Sequence, residues 1–85
     1  MLHSFYDVVR NSEDSSEEHP VSCRFKVESE PSKLGINGGR ITMALIRVDG
    51  KVVCRYTKLG GFIVMPEASD PVAICVVEYL LRNYN

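Results

Sequence analysis

At 85 residues the chain has room for one core and no second site-bearing domain, and a hydrophobic share of 45% sets it apart from disordered sequences. Residues 1–10 hold no apolar run, and the longest such run, Val72 to Val77, is far too short to cross a bilayer. Neither export nor membrane insertion is expected, so the chain reads as a cytoplasmic protein with reduced thiols. The net charge of −1 conceals a segregation, with seven acids against three bases in residues 1–32 and six bases against Asp49 alone in residues 33–66.

In chain order, Leu2, Phe5, Tyr6, Val8 and Val9 form a short apolar patch, read as an edge strand near residues 5–9. Residues 11–20, NSEDSSEEHP, carry four acids, lack any large apolar side chain and end on proline. They read as a solvated, mobile acidic loop. From Val21 to Glu28 the alternation is complete. Val21, Cys23, Phe25 and Val27 lie on one face, and Ser22, Arg24, Lys26 and Glu28 on the other, as in a half-buried strand.

Pro31 stops that strand, and residues 33–39, with three glycines and the Asn37-Gly38 pair, read as a turn-rich connection. Glycines ahead of Arg40 invite comparison with a phosphate cradle. Such a cradle runs from a strand into a helix, however, and here the glycines run into a strand. Two β-rich runs, 40–48 and 51–57, flank Asp49-Gly50, a strong two-residue hairpin signal. Counting outward from that turn sets Val48 opposite Lys51, Ile46 opposite Val53 and Ala44 opposite Arg55. Ile41, Met43, Leu45, Val52, Cys54 and Tyr56 then form the core side. The other side mixes Ile46, Val48 and Val53 with cations.

Gly60-Gly61 ends the second run, and residues 62–65 make a short edge strand closed by Pro66. Asp70 as N-cap with Pro71 in the first turn opens a helix running to Tyr84. Its stripe of Ala73, Val76, Val77, Leu80, Leu81 and Tyr84 is expected to face the sheet over Met43, Leu45 and Cys54, leaving Val72, Cys75 and Tyr79 outward. The fold class is therefore α+β. It comprises a small antiparallel sheet of three to four strands over 21–66 and one C-terminal helix over 70–84, in a single domain.

No chemistry-bearing constellation is evident. Cys23, Cys54 and Cys75 are 31 and 21 residues apart, without the close pair a zinc site supplies, and His3 and His19 have no placed nucleophile. No catalytic residue, metal or cofactor is expected. The expected role is a non-catalytic interaction module that self-associates as a homodimer or meets an unidentified protein, through Ile46, Val48, Val53, Val72, Cys75 and Tyr79. The alternative is a nucleic-acid-binding module using Lys33, Arg40, Lys51, Arg55 and Lys58.

The run FKVESEPSKLGINGGRI over residues 25–41 resembles a family of short uncharacterised bacterial proteins of Gram-positive genomes and mobile elements. That family shows Glu-Pro-Ser, a Gly-Ile-x-x-Gly-Arg-Ile entry, a hairpin and a C-terminal helix closing on Tyr-Asn. Glu30, Pro31, Ser32, Gly35, Ile36, Gly39, Arg40, Ile41, Tyr56, Pro66, Tyr84 and Asn85 match the pattern. The chain departs from it at residues 57–61, where an acidic turn bearing arginine and tryptophan is the family's form. The resemblance implies the hairpin-plus-helix fold and no assigned activity.

Overall fold

The computed structural model describes the backbone of residues 1–11 and 14–85 and the side chains outside residues 5–18. Five antiparallel strands, β1 (Leu2–Asn11), β2 (Asp14–Val27), β3 (Ile41–Val48), β4 (Lys51–Thr57) and β5 (Gly61–Val64), form one meander in the order β1-β2-β3-β4-β5. The α-helix α1 (Pro71–Tyr84) lies mainly over β3 and β4.

The expected α+β class holds, with five strands where three to four were expected. The extra length comes from the acidic segment. Residues 14–20, read from sequence as part of a loop, continue β2 and pair with β1 as far as Asn11↔Asp14. Ladder hydrogen bonds belong to the backbone, so a run without apolar side chains can still extend a hairpin that a neighbouring strand has started.

The alternation in β2 translates directly into burial, with Val21, Cys23, Phe25 and Val27 all in the core. Asp49 and Gly50 both take positive φ, 54° and 78°, as a two-residue hairpin turn requires, and Val48 pairs with Lys51 as counted.

Beyond that pair the counting fails. Arg47 meets Val52 and Ile46 meets Cys54, so Val53 is an extra residue on β4, and the pairings Ile46–Val53 and Ala44–Arg55 become Ile46–Cys54 and Ala44–Tyr56. One inserted residue exchanges the faces. Ala44, Ile46 and Val48 point into the core with Cys54 and Tyr56, while Met43 and Leu45 sit half-buried on the opposite side. A second bulge, where Lys26 pairs with Met43 and Val27 with Ile41, leaves Thr42 buried. Its hydroxyl donates to Glu28 Oε1 at 3.1 Å.

The helix begins as its sequence states. Asp70 Oδ1 accepts from the Ala73 amide at 3.1 Å, with Pro71 in the first turn. Ala73, Val76 and Leu80 are buried, and Val77, Leu81 and Tyr84 pack at the margin of the core. Val72, expected to point outward, is buried as well. It lines, with Val48 and Val53, a groove beside the N-terminus of the helix.

Candidate functional site

The glycine loop serves the fold. Its glycine amides are spent within the chain: Gly35 N–H donates to Ser32 O, Gly38 N–H to Gly35 O and Gly39 N–H to Ile36 O. The side chain of Asn85, just past the end of α1, closes the loop. Its Oδ1 accepts from the Ile41 amide and its Nδ2 donates to Ile36 O, both at 2.9 Å. Tyr56 adds a third tie, its hydroxyl donating to Leu34 O at 2.7 Å. A Cβ on Gly39 would stand 2.3 Å from Asn85 side-chain atoms. Glycine is therefore what admits the asparagine. An anion would find these amides already engaged.

The buried thiols are likewise inert. Burial, reinforced by the neighbouring Cys54, pushes the Cys23 thiol up to about 12, and burial pushes Cys54 up to about 11. Cys75 is exposed on α1. A thiol-specific chromogenic reagent is expected to label one cysteine per native chain and three after denaturation. More than one fast-reacting native thiol would contradict the burial of Cys23 and Cys54. Among the described residues, no three of His, Cys, Asp and Glu converge on a common point that could hold a metal ion.

What the sheet exposes is the face away from α1, and among the described residues no element covers it. Cross-strand register orders its side chains into rows: Leu2, Lys26 and Met43; then Ser4, Arg24, Leu45 and Arg55; then Ser22, Arg47 and Val52. Arg24, Lys26, Arg47 and Arg55 are exposed, with Met43, Leu45 and Val52 half-buried between them. This is a cationic grid with an aliphatic floor. At its rim Glu28 lies 3.7 Å from Lys26. The Thr42 hydroxyl, more than the nearby cations, holds the Glu28 carboxyl below its ordinary range.

The surfaces read from sequence are redistributed accordingly. Ile46, Val48, Val53 and Val72 are core residues and offer no docking surface, whereas Cys75 and Tyr79 are exposed on the outer side of α1. Of the five expected cations, Arg55 alone stands on the open grid. Arg40 donates from Nε to Glu28 O at 2.9 Å, and Lys51 borders a groove beside the helix N-terminus with His19, Asp49 and Asp70. Lys33 and Lys58 lie exposed in the connections before β3 and after β4. Arg24, Lys26 and Arg47 were missed as a group, although the outward alternation of β2 had already placed the first two. Arg47 carried the missing signal, since a strand face ending in arginine is the one that meets water.

A family model described as a domain of unknown function, DUF7678, matches residues 11–85. The chain belongs to the DUF7678 family. Neither a curated protein nor a solved structure matches it. The DUF7678 match covers β2 to α1 and so takes in the glycine loop, Tyr56 and Asn85. No described helix is long and apolar enough to cross a membrane.

Proposed function

We propose that the chain is a non-catalytic interaction module that self-associates through the uncovered face of its sheet. The observation that supports this reading is the one-sided cover. Met43, Leu45 and Val52 stay half-buried on a face that no described element overlies, although an antiparallel sheet with one solvated face normally carries polar side chains there. A short chain gains from such a contact, because the core it can bury alone is small.

Sedimentation of the full chain at micromolar concentration tests the reading, with a dimer as the expected species. A single 9.5 kDa species at every concentration up to the solubility limit would exclude it.

The four cations on the same face favour one other reading, a nucleic-acid-binding module. It predicts binding to single-stranded or duplex DNA at about 50 mM salt, falling steeply as salt rises. The chain as a whole is slightly acidic, which weighs toward a protein partner.

A further inference from the structure

We infer that the cationic sheet face of one copy receives the acidic β1–β2 arm of a second copy. This rests on the self-association reading and names its two surfaces. β2 pairs with β3 only from Val21↔Val48 to Val27↔Ile41, but with β1 it continues through Val8↔Pro20, Val9↔His19 and Arg10↔Glu18 to Asn11↔Asp14. Residues 8–11 and 14–20 therefore form a two-stranded ribbon beyond the five-stranded part. The longest dimension of the molecule is accordingly 40 Å against 20 and 19 Å.

The ribbon is rooted where the β3–β4 turn meets it. The Asp49 amide donates to Pro20 O at 2.9 Å, and His19 Nδ1 lies 2.8 Å from Asp49 Oδ2. A two-stranded ribbon is marginal by itself in water and gains from a third surface.

Charge selects that surface. The described ribbon carries Asp14, Glu17 and Glu18 against Arg10 alone, a net acidic arm, whereas the open face presents Arg24, Lys26, Arg47 and Arg55. The dimensions agree. At about 3.3 Å per residue the seven residues 14–20 reach on the order of 20 Å, and the grid from Ser22 to Lys26 runs roughly 13 Å along β2. The arm cannot serve its own face, because β2 passes from one to the other as a single strand and carries the acids away from the grid. A second copy can, and the exchange is reciprocal. Each copy gives an arm and receives one, which closes a two-fold dimer.

The test is sedimentation of four full-chain samples: wild type, Arg24→Glu/Arg55→Glu, Glu17→Arg/Glu18→Arg, and an equimolar mixture of the two variants, with circular dichroism on each. The proposal expects a wild-type dimer that weakens as salt rises, each variant alone at least about tenfold weaker in association, and a dimer restored in the mixture, where each reversed arm meets a reversed face. Should charge reversal disturb folding, Arg24→Gln/Arg55→Gln is expected to weaken the dimer in the same direction.

Dimers persisting undiminished in both variants would overturn the arm-to-face contact and leave self-association standing. Loss in both without restoration in the mixture overturns it as well. A wild-type monomer overturns both readings. If that monomer also binds a 20-nucleotide single strand at about 50 mM salt, and Arg24→Glu/Arg55→Glu abolishes the binding, the face belongs to nucleic acid.

Discussion

Leu80→Ala is expected to lower the unfolding free energy by about 2 to 5 kcal/mol, whereas Tyr79→Ala, one residue earlier, should cost less than about 1 kcal/mol. Leu80 is 3% exposed in the core and Tyr79 is 50% exposed on the far side of α1. Truncating leucine removes packed methyl groups and leaves a void that its neighbours close only in part. In a chain this short each kcal/mol moves the melting temperature by roughly 4 to 8 °C, so thermal melts should separate the variants clearly. Equal melting temperatures would mean that α1 is rotated on the sheet.

The second large effect is expected at the glycine loop. A Cβ on Gly35 would stand 2.1 Å from the carbonyl oxygen of Gly39 and 2.8 Å from its carbon. Both are backbone atoms and cannot swing aside, so Gly35→Ala must open the loop. Opening it releases the bonds from Gly39 to Ile36 and from Asn85 to Ile36 and Ile41. Overpacking strain and stranded polar groups together make this at least about 3 kcal/mol.

Asn85→Ala removes the clasp without the clash and is expected to cost about 2 kcal/mol. The two substitutions act on one set of bonds, so the double variant should lose less than the sum. Strict additivity in urea melts would show that the loop and Asn85 are independent.

Those bonds also show where sequence reading reaches its end. The strand over residues 21–27, the Asp49-Gly50 turn and the Asp70 cap were legible because each is set by residues within a few positions of one another. The clasp joins Asn85 to residues 44 and 49 positions earlier, and no periodicity reports on a contact of that kind. Only the resemblance, which sets Gly-Ile-x-x-Gly-Arg-Ile beside a closing Tyr-Asn, brought its two halves into one pattern.

The sheet faces were misread for a different reason. β3 carries apolar residues at odd and even positions alike, Met43 and Leu45 against Ala44, Ile46 and Val48, so alternation could not choose between them. The residue that decides, Val53, looks like any other strand valine until the pairing is known. The open cationic grid was hidden by the same gap. Its cations come from three strands, and only the β2–β3 and β3–β4 registers bring Arg24 and Arg55 to either side of Leu45.

The meander has a bearing on the order in which the structure closes. Every strand pairs with its neighbour in sequence, so the sheet can assemble by short loop closures, each building on the last. The Asn85 clasp closes 49 residues in one step and needs both the finished loop and the docked helix. It is therefore expected to form after the barrier, so that Asn85→Ala should speed unfolding and hardly change the refolding rate. The glycine loop and Asn85 together act as a latch on the lifetime of the fold.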